Sequence, residues 1–339
     1  MTKKQYILSF AAAALTAVLL TGCSGDSASS IEPEPQDTKT GIKINADVWR
    51  VMEGTRATTY DNQTALQTEG SFTCGVYTEN TTTAYVSPTT VNWSSTEWLF
   101  SDGKHYWPSS GNLDFFAYMP TTSQSCITGP TYTTARSPQI VCANLPMTYS
   151  SATPSAGQGG LKEFIWALTT GQNKASQGST GVTMTFKRPF ARIKFQLAAS
   201  HPDITINSIT FKSLKTGGTC TFNGTTSTWS SLTPAESTSN FVMTLTGDAA
   251  TFNNNPASVV PIGGYAESAH QSVNILMVPQ AFAGAIEVNI TWNNWGELKT
   301  ETLSTSVPTT WQAGYSYTYT FTIDKQALKV DIEKFTEQW

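Results

Sequence analysis

Charge is what this sequence has least of. Only 13% of its 339 residues are Asp, Glu, Lys or Arg, against ~25% in ordinary soluble domains. The formal balance is −4, so no basic footprint for nucleic acid is expected. Histidine is nearly missing too. His105, His201 and His270 lie far apart, with no Cys or His at ligand spacing. There is no CxxC pair, no HExxH, no P-loop and no GxSxG, which removes the usual signatures of zinc, nucleotide and serine-hydrolase chemistry. The Gly-rich GQGGL at 157–161 lacks the lysine of a phosphate cradle. A glycosidase pair of carboxylates can be distant in sequence, but nothing here points to one. No catalytic residue, metal or cofactor is expected. Cysteine is sparse as well. After Cys23 come only Cys74, Cys126, Cys142 and Cys220, four thiols that allow three pairings. Cys126 and Cys142 flank a turn-rich stretch and are the favoured pair; free thiols are the alternative.

Long apolar runs are also lacking. Ile7 to Leu20 is uncharged and follows Lys3 and Lys4. It is shorter than the ~20 residues that span a bilayer, and fits the core of an export signal. It ends in Leu20-Thr21-Gly22-Cys23, similar to a bacterial lipobox, in which Cys23 is acylated and becomes the mature N-terminus. Each buried acyl CH₂ contributes ~0.8 kcal/mol to anchoring. Ser24 rather than Asp follows, which suggests the outer membrane. From Ser24 to Thr40 the chain is rich in Ser, Pro, Asp and Glu and reads as a tether.

What is present is Thr, Ser, Asn and aromatic residues, types that suit pleated, half-buried surfaces. Runs of period two recur at 72–78, 113–119, 181–197, 204–214, 240–247, 273–279, 285–294 and 315–323. Gly, Pro, Asn and Ser separate them, a pattern that predicts all-β sandwiches. GLKEFIWALTTG is read as a helical turn, with Leu161, Phe164, Ile165 and Leu168 at helical spacing, or equally as a short strand. Pro189 interrupts TFKRPFARIKF, and a domain boundary is expected there because proline cannot serve a central ladder. Trp292 and Trp295 in TWNNWGE, with Trp93 and Trp98 in NWSSTEW, offer flat faces for a surface glycan. Core packing is the favoured reading of these indoles.

The two ends of the mature chain are alike. Ile42-Lys43-Ile44-Asn45-Ala46-Asp47-Val48 and Leu328-Lys329-Val330-Asp331-Ile332-Glu333-Lys334-Phe335 both alternate apolar with polar side chains. Each presents one apolar row to a core. Burying Leu328, Val330 and Ile332 would contribute roughly 5–9 kcal/mol before ordering costs. On alternation alone, both are ordinary edge strands of one monomer. A pair of strands competing for one groove is the alternative.

Further motifs weigh on that choice. The lipobox at Cys23, TRATTYDN (55–62), YWPSSGNLDFFAYMP (106–120), EFIWALTTGQ (163–172), VTMTFKRPFARIKFQL (182–197) and YSYTYTFTI (315–323) occur in this order. With them the whole chain resembles the fimbrillin family, the lipoprotein-derived subunits of Bacteroidales type V pili. One departure is Arg188, where the family often has His. The resemblance implies two transthyretin-like β-sandwich domains. It divides the chain into a signal peptide (1–22), a lipidated tether with a removable strand (23–56), an N-terminal sandwich (57–190) and a C-terminal sandwich ending in a donor strand (191–339). It implies cleavage between Arg56 and Ala57 by an extracellular Arg-specific protease. That cut would release the strand bearing Ile42, Ile44, Ala46 and Val48. The segment carrying Leu328, Val330, Ile332, Phe335 and Trp339 of a neighbouring subunit would then fill the groove. The implied partners are like or related pilus subunits, the protease, the outer membrane before processing, and a host or bacterial surface ligand. The implied course is from outer-membrane lipoprotein to cell-surface fimbria. A monomeric glycan-binding surface lipoprotein, and an anchor or tip adhesin of the same fold, are the alternatives.

Overall fold

The computed structural model describes residues 39–48, 62–152, 158–159, 161–199, 204–235, 239–247, 250–252, 259–263, 273–282, 286–294, 297–305, 309–324 and 327–333. Cys23, Arg56, Ala57, Trp295, Phe335 and Trp339 lie outside them, as do His201 and His270.

The described chain is nearly all strand. In its first half are β1 (Ile44–Val48), β2 (Ser71–Thr78), β3 (Ala84–Trp93), β4 (Trp98–Phe100), β5 (Leu113–Met119), β6 (Ile127–Thr131), β7 (Gln139–Cys142), β8 (Thr148–Ser150), β9 (Ile165–Gln172) and β10 (Val182–Phe186). The second half holds β11 (Ala191–Ala199), β12 (Ile204–Leu214), β13 (Gly217–Asn223), β14 (Thr226–Thr233), β15 (Ser239–Thr244), β16 (Thr251–Phe252), β17 (Val259–Ile262) and β18 (Ile275–Met277). It closes with β19 (Gln280–Ala281), β20 (Ile286–Asn294), β21 (Glu297–Thr305), β22 (Thr310–Trp311), β23 (Ser316–Asp324) and β24 (Ala327–Glu333). Two short helices intervene, α1 (Gln63–Glu69) and α2 (Lys174–Gln177), capped by Asn62 and Asn173 through their side-chain oxygens. Such caps satisfy amide donors that a first helical turn leaves open.

The strands form the layers of a sandwich fold. One sheet runs β10-β1-β4-β3-β2-β5-β9. It curls until its two outer strands meet, where Trp166 and Lys187 exchange backbone bonds of 2.9 and 2.7 Å. Its inner face buries Phe72, Val76, Phe115, Met184 and Phe186. A second core lies between the β17-β11-β23-β24 and β21-β20-β12-β15-β8 sheets, around Phe195, Phe211, Trp311 and Tyr319. A third cluster draws on both halves. The β14-β13-β7-β6 sheet lays Phe222 and Cys220 against Trp166, Phe164 and Phe116.

Pro189 lies between β10 and β11, and the long 181–197 run is two strands. The helical reading of GLKEFIWALTTG is corrected: Ile165–Gln172 is β9. Ile165 and Ala167 pack into the first core, while Phe164 and Trp166 pack into the third. A strand buried on both faces shows no alternation, so its apolar run imitates a helix. Cys74, Cys126, Cys142 and Cys220 are all buried free thiols. The Cys126 amide carbonyl accepts from Ala143 next to Cys142 at 2.8 Å, which brings the favoured pair side by side. Burial pushes the Cys74 thiol up to about 12.

One charged cluster pins the first sheet. Asp114 on β5 is fully buried. Its carboxylate accepts from Arg136 Nε (2.8 Å) and Nη2 (3.0 Å), and from the Asn80 and Gly171 amides at 2.8 Å each. Arg136 also reaches Glu79 at 3.0 Å. Burial by itself would raise the Asp114 carboxyl; the Arg136 bonds and the two amides outweigh it and hold the group below its ordinary value. Asp114→Ala is expected to cost about 3 kcal/mol at neutral pH, as for a broken buried pair with one partly exposed partner. The folded value is depressed, so this stabilisation is complete above the unfolded carboxyl value of about 3.9 and is lost as pH falls through the folded one. Urea melts of both proteins at pH 7 and in acid should show the gap closing in acid.

Candidate functional site

Most strands here enter the fold from both sides in sequence. β1 does not: it is the first described strand, yet it sits inside a sheet. It pairs in parallel with β10, Ile44 opposite Val182, Ala46 opposite Met184 and Val48 opposite Phe186. On its other side it meets β4 through Ile44 and Trp98. The period-two pattern that suggested an edge strand therefore belongs to an internal one with a single buried face.

That face is closed. Ile42, Ile44, Ala46 and Val48 are all buried, Ala46 to 1% exposure, whereas Lys43, Asn45 and Asp47 point to solvent. Beneath them, Phe72 packs on Trp98 (4.8 Å between ring centres) and on Phe186 (5.3 Å). Taking β1 away would uncover this aromatic floor and leave the facing backbone edge of β10 unpaired.

Few side chains hold β1 in place. Asn45 Nδ2 donates to the Thr180 carbonyl at 2.8 Å, and Gln63 Nε2 on α1 reaches the Ala46 carbonyl at 3.3 Å. Ahead of the strand, Ile42 N bonds to the His105 carbonyl and Trp107 N to the Thr40 carbonyl, at 2.8 and 3.0 Å. Gly181 is required at the seam. It has φ of +85°, and a Cβ there would come 3.0 Å from the Lys43 Cβ, so the turn into β10 is shaped around the strand beside it. His105 itself is bonded to Asp102 at 2.9 Å, three residues away.

The C-terminal residues read as alike to β1 stand elsewhere. Leu328, Val330 and Ile332 lie on β24, the outer strand of its sheet, in antiparallel register with Ile323, Phe321 and Tyr319 of β23. The two similar segments thus occupy unlike positions, one internal and parallel to its longer neighbour, the other terminal and antiparallel.

The aromatic pairs proposed for glycans are largely core. Trp292 is 3% exposed with Lys299 Nζ 5.6 Å from its ring centre, Trp98 is 5% exposed, and Trp93 packs half-buried against the first core. Among the described residues no cluster of His, Cys, Asp or Glu could hold a metal ion.

A family model described as fimbrillin-like matches residues 55–339. No curated protein matches the chain. Among solved structures, a candidate cell adhesion protein from Bacteroides ovatus is similar at 18% identity and a TM-score of 0.51, covering 87% of this chain and 98% of that one. A candidate cell adhesion protein from Bacteroides uniformis gives 15% and 0.49, over 89% and 100%. The tip fimbrial protein Mfa3 from Porphyromonas gingivalis, with a C-terminal truncation, gives 9% and 0.40, over 86% and 98%. The likeness to the Bacteroides ovatus protein is one of fold.

Proposed function

The chain belongs to the fimbrillin-like family, and on that premise we propose that it is a structural subunit of a cell-surface pilus, assembled by exchange of β1 for the C-terminal strand of a neighbouring subunit. Family membership carries the coarser part, a pilus-type or adhesin subunit at the cell surface that associates with others of its kind. The finer steps are our own reading. The chain is exported, acylated at Cys23 and cut between Arg56 and Ala57. The segment bearing Ile42 to Val48 then leaves, and a neighbour's Leu328 to Trp339 enters the vacated seat.

The observation that carries this reading is an N-terminal strand buried between β10 and β4. The chain that leads from this strand to the rest of the described fold passes through Arg56, between Val48 and α1. One cut there makes the strand a separate ligand of its own seat.

Sequence similarity supports the replacement. Ile42-Lys43-Ile44-Asn45-Ala46-Asp47 matches Leu328-Lys329-Val330-Asp331-Ile332-Glu333 in the kind of residue at each step. In that register Ile332 replaces Ala46, a gain of about 2 kcal/mol at ~0.8 kcal/mol per added CH₂. Lys334 replaces Val48 and forfeits a similar amount. The two strands are therefore near equals for the seat, and their own affinities do not decide which one occupies it. The covalent link does. While β1 is attached it acts at an effective concentration in the millimolar range, which a separate chain cannot match. After the cut that advantage is gone.

The test is N-terminal sequencing of the surface-exposed protein beside an unheated denaturing gel. A start at Ala57 with a high-mass ladder supports the reading. A start at an acylated Cys23 with monomer alone defeats it and favours an anchor or a monomeric lipoprotein.

A further inference from the structure

A groove of about 790 Å³ opens where β10 ends, within the ~300–1,000 Å³ usual for ligand pockets. Trp166, Trp229, Leu232 and Tyr315 line it, together with Lys187, the residue that follows β10. Trp229 is half-buried and its ring is fixed in advance. Its Nε1 donates to the Pro189 carbonyl at 2.6 Å, and its ring centre lies 5.2 Å from that of Phe190. Trp166 is 1% exposed, yet its Nε1 meets no acceptor among the described residues. Native folds leave few buried donors in that state. The wall therefore suits an occupant that brings both an apolar ring and carbonyl oxygens.

The β1 seat runs up to this groove. Val48, the last residue of β1, stands opposite Phe186, the last residue of β10, in a parallel ladder. One step further along that ladder, a strand in the seat stands opposite Lys187. Successive side chains point to opposite faces. Val182, Met184 and Phe186 face the first core, so Lys187 faces the other way. Its bridge partner Trp166 does the same and belongs to the third cluster. The Lys187 ammonium lies 5.8 Å from the Trp166 ring centre. A seated strand thus delivers its next side chain to the outer face, on the side of the groove.

The sequence places an aromatic residue at that step twice. Setting Ile42 against Leu328 brings Val48 to Lys334, and the next pair is Trp49 with Phe335. Trp49 lies outside the described residues, so the parallel is one of sequence. Four residues follow Phe335, namely Thr336, Glu337, Gln338 and Trp339. At ~3.3 Å per residue they reach ~13 Å further and bring backbone carbonyls with them.

We infer that this groove is a docking pocket for a second copy of the chain: the Phe335 ring of a neighbour's tail enters it, against Trp166 and Trp229, when Leu328 to Lys334 take the place of Ile42 to Val48. The inference rests on the strand-exchange reading above and adds where the tail is gripped and which side chain grips. Aromatic residues in such pockets hold a large share of an interface's affinity.

The test uses full-length subunits cut after Arg56. With p-benzoylphenylalanine in place of Phe335, light should join the tail of one subunit to another subunit within residues 225–232 or 310–315 of the groove wall. The uncut Arg56→Ala monomer, with its seat filled, should form no such bond. Phe335→Ala should still give ladders, because the strand before it still enters, but they should dissociate at least tenfold faster in warm detergent. Phe335→Trp should keep the wild-type lifetime. Ser227→Arg puts a long side chain on the groove wall and should reproduce the loss with the melting temperature of the uncut monomer unchanged. Adding Phe335→Ala to it should change little more, since both remove one contact. Wild-type ladder lifetimes in Phe335→Ala, cross-links confined to other surfaces, or additive losses in the double variant would overturn the docking pocket and leave strand exchange standing. A cut wild-type subunit that forms no ladder would overturn both.

Discussion

Arg56→Ala is expected to abolish the high-mass ladder altogether, leaving a full-length acylated monomer whose melting temperature equals that of the uncut wild type. The effect should be all-or-none because of how the two candidate strands compare. Ile42, Ile44 and Val48 together contribute roughly 5–9 kcal/mol of burial at ~1.5–3 kcal/mol each. Leu328, Val330 and Ile332 offer about the same. A tethered strand at millimolar effective concentration therefore excludes a strand of similar affinity supplied by another chain. Nothing in the seat is altered by the substitution, since Arg56 lies beyond the last residue of β1. Supplying the cut by other means should restore assembly: a foreign protease site placed at 55–57 in the Arg56→Ala chain should give ladders only when that protease is added. Ladders of wild-type height in Arg56→Ala without any protease would remove cleavage from the scheme.

How much of this was legible in the sequence depends on where each residue's partners lie. β1, β12 and β23 were readable because their alternation is local and one apolar face of each meets a core. The similarity between the 42–47 and 328–333 segments was equally local. What period alone could not say is that one is internal and the other terminal, because pairing is a property of the neighbours. The stretch around β9 was open to both a helical and a strand reading: with Phe164 and Trp166 facing one core and Ile165 and Ala167 another, its first half has no polar face to betray its period. Other features had no sequence signal. Asp114 looks like one acidic residue in an apolar strand until Arg136 and Asn80, from two separate turns, and Gly171, near the end of β9, are brought to it. Trp166 on β9, Lys187 just past the end of β10 and Trp229 on β14 line one groove although they never stand near one another in the chain. The tryptophans that do cluster in sequence, Trp93 with Trp98, serve the core instead. For aromatics in an all-β chain, spacing along the sequence says little about which face a ring will meet, because consecutive strands can enter different sheets.

Removing residues 328–339 should block elongation while leaving a folded, cleavable monomer. β24 is the outer strand of its sheet and pairs only with β23 among the described residues. Its loss therefore frays one border, whereas loss of β1 splits a sheet from within. After the cut, the tail-less subunit has an empty seat and no donor to offer. Emptying that seat withdraws roughly 5–9 kcal/mol of apolar burial from a fold whose whole stability is of the order of 5–15 kcal/mol. The cut, tail-less chain should accordingly melt at least about 10 °C below the uncut one, at ~2–4 °C per kcal/mol for a domain of this size. A synthetic peptide with the sequence of residues 327–339 should restore most of that loss by mass action. A peptide of the same composition with its apolar and polar residues no longer alternating should not, because it cannot keep one row in the core and the other in water. This pair of peptides separates strand replacement from general stickiness of an opened sheet. Melting curves that ignore both peptides, or filaments formed by subunits lacking 328–339, would mean that the vacancy left by β1 is filled from somewhere other than a neighbour's tail.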